Sequence, residues 1–141
     1  MNKQEKHHAK YKRGICWGTW DGLHVGHFNI LSRAKKLCDE LYVGISNDEY
    51  VYYHKGHYPM FTRKDRGYHL GLYANKYIKK TFTQRLEVSK KETVDKYKPD
   101  VIFVGDDWLG KDWDRAKLGI PVIYLPRTQN ISSTKLRKLI K

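Results

Sequence analysis

The stretch GTWDGLHVGH, residues 18–27, is the most informative part of the chain, because it places two histidines three positions apart around a glycine where a helix is predicted to begin. Ile15, Cys16 and Trp17 precede it and are apolar enough to form a buried strand. Apolar residues follow it at the spacing of one helical face, at Phe28, Leu31, Ala34, Leu37 and Cys38. The decapeptide is therefore predicted to join a strand to a helix.

The start of a helix favours an anion, because the first backbone N–H groups lack acceptors within the helix and the helix dipole is positive there. Gly26 has no Cβ, so a triphosphate could approach the backbone closely between His24 and His27. A pair of surface histidines, or of histidines already hydrogen-bonded, is the alternative explanation of the tetrapeptide HVGH taken alone.

The whole decapeptide resembles the nucleotide-binding segment of the cytidylyltransferases, within the superfamily of nucleotidyltransferases that carry an HxGH motif. Residues 127–134, RTQNISST, are similar to the other motif of that family, RTEGISTT, which opens the last helix. Residues 105–111, GDDWLGK, resemble the GDDWxGK segment of the glycerol-3-phosphate cytidylyltransferases, which is the branch that this chain resembles most. The resemblance extends over residues 15–138.

The length of 141 residues suits one domain with a single core and leaves no room for a second catalytic domain. We predict a basic, solvated extension over residues 1–13 and one Rossmann-like α/β domain over residues 14–141, with a parallel sheet in three layers. Predicted strands cover residues 15–17, 41–46, 78–82, 101–104 and 122–125. Predicted helices follow residue 27 and cover residues 64–77 and 85–97, burying Leu70, Tyr73, Tyr77, Leu86, Val94 and Tyr97, while a loop runs through Pro59.

The charge is strongly basic, with 28 Lys and Arg against 15 Asp and Glu, a formal net charge of +13. Such an excess suits nucleic acid, an anionic membrane surface or phosphorylated small molecules. No zinc-finger spacing or aromatic RNA-binding motif accompanies it. Cys16 and Cys38 lie in apolar segments and are expected to be reduced core thiols. We detect no secretory or membrane-spanning segment and expect a cytoplasmic protein.

The resemblance implies nucleotidyl transfer, in which a phosphomonoester oxygen attacks the α-phosphorus of a nucleoside triphosphate. His24 and His27 would donate ring N–H groups to the triphosphate and the transition state. Ligands of parallel sheets bind beyond the carboxyl ends of the strands, so the residues that follow strand ends should converge. They are His24, Ser46, residues 105–107 and Arg127.

Two further nucleotide contacts have a chemical rationale. The carboxylate of Asp107 would repel phosphates but can accept a hydrogen bond from the exocyclic amine of cytosine. Arg127 can clamp a phosphate as a planar fork. Gln129 and Asn130 depart from the glutamate and glycine of the family motif. The nucleotide set that the resemblance implies is Gly18, Thr19, Trp20, Gly26, Asp107, Arg127, Thr128, Ile131, Ser132, Ser133 and Thr134.

Four basic residues are candidates for contacts with the phosphorylated acceptor. Lys55 lies in the predicted loop after the second strand, where cytidylyltransferases carry a lysine that can reach the α-phosphate. The resemblance implies that a lysine after the third strand contacts the acceptor, and the spacing back from Asp100 places Lys90 at that position. Arg66 and Lys76 lie near two arginines of the family pattern.

Magnesium is expected to arrive bound to the nucleotide, with no metal site in the protein, and the family implies a homodimer. The sequence predicts transfer of a cytidylyl group from CTP to a phosphorylated alcohol, most closely sn-glycerol 3-phosphate. Phosphocholine and phosphoethanolamine remain possible acceptors. An adenylyltransferase of the same superfamily, and a non-catalytic basic module that binds nucleotides or nucleic acids, are the other hypotheses.

Overall fold

A computed structural model of the chain describes residues 11–105, 118–126 and 128. Within those residues one sheet contains five parallel strands in the order β3-β2-β1-β4-β5. The strands are β1 (Tyr11–Gly18), β2 (Cys38–Ser46), β3 (Lys80–Gln84), β4 (Val101–Gly105) and β5 (Val122–Leu125). The helices are α1 (Val25–Lys35), α2 (Asp48–Lys55), α3 (Arg63–Tyr73) and α4 (Lys90–Tyr97), with a 3₁₀ turn at Asn75–Tyr77.

Helices cover both faces of the sheet, because side chains of each strand alternate between two apolar clusters. On one face, Leu31 of α1 and Leu70 of α3 pack against Val43 of β2. On the other face, Val94 of α4 packs against Ile15 and Ile102. The predicted α/β class with a parallel sheet is confirmed. The strand order reverses between β1 and β4, so the carboxyl end of β1 borders the crevice where such sheets bind ligands.

Several predicted boundaries were wrong. The predicted loop through Pro59 contains α2, because Asn47 caps its start by accepting from the backbone N–H of Tyr50 (2.8 Å) and Gly56 ends it in a left-handed conformation (φ 80°). β1 begins at Tyr11, inside the predicted extension, because Arg13 pairs with Glu40 across the sheet (3.0 Å).

The other differences concern α3, α4 and β3. α3 ends at Tyr73, four residues early, and α4 begins only at Lys90, because Ser89 caps it. Tyr73 and Leu86, both predicted to be buried, are exposed. β3 runs two residues later than predicted, over Lys80–Gln84.

In the described part of the chain, no helix has the length and apolarity needed to cross a membrane.

Substitutions at two glycines, one in the sheet and one in α3, test the packing of the sheet. A Cβ on Gly44 of β2 would lie 2.5 Å from Cδ1 of Trp17 and 2.8 Å from the ring of Phe82, whereas a Cβ on Gly71 of α3 would meet nothing within 4 Å. We expect Gly44→Ala to lower the free energy of unfolding by about 1–3 kcal/mol through overpacking. Gly71→Ala, the matched control, should raise it by up to about 1 kcal/mol.

Chemical denaturation followed by circular dichroism measures both values. A Gly44→Ala variant as stable as the wild type would contradict the packing described at the centre of the sheet.

Candidate active site

The two histidines of the decapeptide cap the start of α1 reciprocally. Nδ1 of His24 accepts from the backbone N–H of Gly26 (3.0 Å), and Nδ1 of His27 accepts from the backbone N–H of His24 (3.2 Å). An imidazole nitrogen that accepts carries no proton, so the proton of each neutral ring is on Nε2. The helix start therefore presents two side-chain N–H donors. The N–H of Gly26, which the sequence offered to a phosphate, is already bonded to His24.

Both rings are held in the neutral form. Burial lowers the pKa of His24. Burial lowers the pKa of His27 to about 3, and the nearby His24 and the Lys55 ammonium act in the same direction. The two rings stack with their centroids 4.0 Å apart. At neutral pH the pair therefore donates through Nε2 without carrying charge.

The loop between β1 and α1 is fixed from within the protein. Trp20 adopts a positive φ (59°) and donates its indole N–H to the carbonyl of Gly44 (3.0 Å). Asp21 is buried, and its two carboxylate oxygens accept from the backbone N–H groups of Met60 (2.8 Å) and Phe61 (3.0 Å). Asp21 was not singled out from the sequence, although it lies inside the decapeptide. Its role depends on residues about forty positions away.

Arg66 also holds the loop between β1 and α1 in place, and the structure does not place it as a substrate ligand. Its side chain is completely buried. The guanidinium donates to the carbonyl of Thr19 (2.7 Å) and to that of Phe61 (2.9 Å), and it pairs with the carboxylate of Asp48 (2.6 Å). The prediction that Arg66 contacts the acceptor is corrected, because protein acceptors engage its guanidinium.

Lys55 reaches the loop from the other side. It is the last residue of α2, rather than part of a loop, and its ammonium donates to the hydroxyl of Thr19 (3.1 Å). Its charge also acts on His27. The structure thus brings together Thr19, His24, His27 and Lys55. One ammonium, one hydroxyl and two imidazole N–H groups can share the oxygens of a polyphosphate.

Lys90 and Lys76 have different positions. Lys90 begins α4 just beyond the carboxyl end of β3, and its ammonium lies 5.5 Å from the centroid of the Trp17 ring. Lys76 lies in the 3₁₀ turn that precedes β3, at the amino ends of the strands, and faces the ring of Tyr77. Lys90 is therefore at the edge of the sheet that carries the histidines. Lys76 is at the opposite edge, and its prediction as a site residue is corrected.

Six predicted nucleotide contacts lie outside the described residues. They are Asp107, Arg127, Ile131, Ser132, Ser133 and Thr134. Thr128 is described, and its hydroxyl accepts from the side-chain amide of Asn29 (2.7 Å). The carbonyl of Pro126 accepts from Arg33 (2.9 Å). The chain that leaves β5 therefore runs beside α1, close to the helix that the histidines begin. Ser46, the last residue of β2, is buried.

No group of three or more His, Cys, Asp or Glu side chains within the described ranges is placed to hold a metal ion. The polar groups brought together there are two imidazoles, the Lys55 ammonium and the Thr19 hydroxyl. Those groups suit phosphate oxygens better than a hard cation such as magnesium, which prefers oxygen ligands.

Comparison with known proteins places this chain in a family. The sequence model of the cytidylyltransferase-like family matches residues 15–139, nearly the whole chain. The chain belongs to the cytidylyltransferase-like family. It is 38% identical to the glycerol-3-phosphate cytidylyltransferase of Bacillus subtilis over 135 residues, covering 92% of this chain and 97% of that protein. It is 34% identical to the FAD synthase of Pyrococcus abyssi, covering 92% and 90% of the two chains.

A solved structure supports the fold of this cytidylyltransferase-like protein. The crystal structure of the lipopolysaccharide core biosynthesis protein from Thermoplasma volcanium superposes with a TM-score of 0.65 at 29% identity, covering 86% of this chain and 99% of that chain. The α/β fold and the family resemblance inferred from the two motifs are both confirmed.

The double role of His24 can be separated by substitution. In His24→Asn the amide oxygen can replace Nδ1 as the cap, so we expect a free energy of unfolding within about 0.5 kcal/mol of the wild type, whereas His24→Ala should lose about 1 kcal/mol. Both variants lack the Nε2–H donor, so both should lower nucleotidyl transfer by about 100-fold or more. Denaturation curves and pyrophosphate release measure the two effects. Wild-type turnover in His24→Asn would refute the donor role.

Stability should depend on pH through His27. Its pKa is about 3 in the folded protein and about 6.5 in the unfolded chain, so the unfolded chain takes up a proton first as the pH falls. The contribution of His27 to the free energy of unfolding is therefore greatest above about pH 6.5 and falls progressively between about pH 6.5 and 3. Urea denaturation should show this decline in the wild type and a shallower one in His27→Asn, whose amide does not titrate. Equal slopes would contradict a neutral, buried His27.

Proposed function

We propose that this protein transfers the cytidylyl group of CTP to sn-glycerol 3-phosphate, forming CDP-glycerol and pyrophosphate. The observation that carries the proposal is the reciprocal cap, which aims two neutral N–H donors beside Lys55 at the start of α1. The 38% identity with the Bacillus subtilis glycerol-3-phosphate cytidylyltransferase over nearly the whole of both chains supports the choice of substrates.

The reaction needs no protein nucleophile. A phosphate oxygen of glycerol 3-phosphate attacks the α-phosphorus, a new P–O bond forms, and the bond to the bridging oxygen breaks as pyrophosphate leaves with the electron pair. Catalysis then consists of holding two polyanions together and stabilising the charge on the transferred and leaving oxygens. His24 and His27 donate through Nε2 to these oxygens, and Lys55 neutralises them from the end of α2. Lys90 binds the phosphate of the acceptor.

Base recognition and the remaining nucleotide contacts are part of this proposal. Asp107 accepts a hydrogen bond from N4 of cytosine, and Arg127, Ile131, Ser132, Ser133 and Thr134 bind the triphosphate together with Gly18, Trp20 and Thr128. Magnesium bound to the nucleotide would supply charge neutralisation at the phosphates. By resemblance to its family, the protein acts as a cytoplasmic homodimer and supplies a precursor of teichoic acid or a capsule.

Pyrophosphate release tests the proposal. Purified protein is assayed with CTP and with ATP, each against sn-glycerol 3-phosphate, phosphocholine, phosphoethanolamine and FMN. We expect release with CTP and glycerol 3-phosphate, with a kcat/KM at least about 100-fold above that of any other pair. His27→Ala, which removes one donor, is the control for contaminating activity.

Other outcomes would favour the other hypotheses. Pyrophosphate release with ATP but not with CTP would indicate an adenylyltransferase. If FMN were the acceptor in that case, the activity would match the one that names the Pyrococcus abyssi relative. Affinity for nucleic acid with no turnover would favour the non-catalytic module.

A further inference from the structure

Lys90 occupies a position that helix energetics disfavour. It is the first residue of α4, where the dipole is positive and a cation destabilises the helix. A capping box holds this helix start in place, since the side chain of Ser89 accepts from the backbone N–H of Glu92 (3.1 Å) and the carboxylate of Glu92 accepts from that of Ser89 (3.0 Å). The stem of Lys90 therefore starts from a fixed point of the backbone.

The ammonium of Lys90 is held by an aromatic residue of another helix. It donates to the hydroxyl of Tyr50 in the first turn of α2 (2.6 Å) and lies 5.2 Å from the centroid of the Tyr50 ring and 5.5 Å from that of Trp17. The Tyr50 ring is itself packed against His54, with centroids 4.3 Å apart. Trp17 immediately precedes Gly18 in the decapeptide. The ammonium is thus placed beside the strand that leads into the nucleotide-binding loop.

Helix α2 connects the two lysines of the site. Tyr50 and Lys55 are five residues apart, about 7.5 Å along a helix axis, and Lys55 reaches Thr19 from the far end. One short helix therefore sets the spacing between the lysine beside the histidines and the lysine beside Trp17. Two anions that must react with each other, a triphosphate and a phosphomonoester, need two such points of attachment.

We propose that Tyr50 is a positioning residue for the acceptor phosphate, its hydroxyl fixing the Lys90 ammonium where that phosphate binds. The inference rests on the proposed function. A carboxylate in place of this hydroxyl would neutralise the lysine and repel the phosphate. The neutral hydroxyl accepts from the ammonium without neutralising it. It also restricts a side chain that is otherwise among the most mobile.

Tyr50→Phe removes the hydroxyl and keeps the ring. We expect the KM for sn-glycerol 3-phosphate to rise about tenfold or more, the effect of losing one hydrogen bond to a charged group, while the KM for CTP and the unfolding midpoint stay at wild-type values. Tyr53→Phe is the matched control, because Tyr53 lies on the same helix and is 70% exposed. It should change neither constant.

A double-mutant cycle with Lys90→Ala separates an effect of Tyr50 that passes through Lys90 from a direct contact of Tyr50 with the acceptor. If Tyr50 acts through Lys90, adding Tyr50→Phe to Lys90→Ala should change the KM for glycerol 3-phosphate less than twofold further. Calorimetric titration with glycerol 3-phosphate replaces KM where turnover is too slow to measure. An unchanged KM in Tyr50→Phe, a rise shared equally with CTP, or a full effect persisting in Lys90→Ala would each overturn the inference.

Failure of the proposed function would show differently. It would appear in the wild type, as no turnover or binding of glycerol 3-phosphate. In that case the cycle is run with whichever phosphorylated acceptor the wild type uses. If the wild type uses none, Lys90 is not an acceptor lysine, and the inference is overturned together with the proposed function.

Discussion

The buried guanidinium of Arg66 is the interaction on which the site depends. It joins the carbonyl of Thr19, the carbonyl of Phe61 and the carboxylate of Asp48, which belong to three separate segments. The Arg66 side chain is completely buried, so loss of these acceptors would leave an uncompensated charge in the interior and destabilise the loop. One segment leads into the histidines, and another starts the helix that carries both Tyr50 and Lys55. Site geometry is therefore set by a residue that lies behind the ligands.

The same interaction shows where prediction from sequence reaches its limit. An arginine in a basic chain near an expected phosphate site looks like a ligand, and only the tertiary structure reveals that Thr19 and Asp48 engage it. Helix α2 was missed for a related reason, because it buries only Val51 and so lacks an apolar period. Its end signals, Asn47 and Gly56, were present in the sequence. Periodicity identified the strands and α1 because those elements bury a continuous face.

The decapeptide was the most predictive part of the chain, and ring N–H donation by its histidines was expected, but the bonding of its backbone N–H groups was not. A helix start was expected to offer backbone N–H groups to a phosphate. Instead, the imidazoles of His24 and His27 accept from the backbone N–H groups of Gly26 and His24, and each ring carries its proton on the opposite nitrogen. The donors that this motif offers are therefore the Nε2–H groups of the two rings. One motif thus caps the helix and leaves the two Nε2–H groups available as donors.

Stacking explains why these rings must stay neutral. Two imidazolium ions with centroids 4.0 Å apart would repel each other by about 4 kcal/mol at an effective dielectric constant near 20. The pair therefore cannot be doubly charged without separating, and burial opposes even the first proton. Charge for the phosphates has to come from flexible side chains outside the pair, such as Lys55. The imidazoles then contribute direction, since their planar rings are fixed at Nδ1 and can donate only along one line.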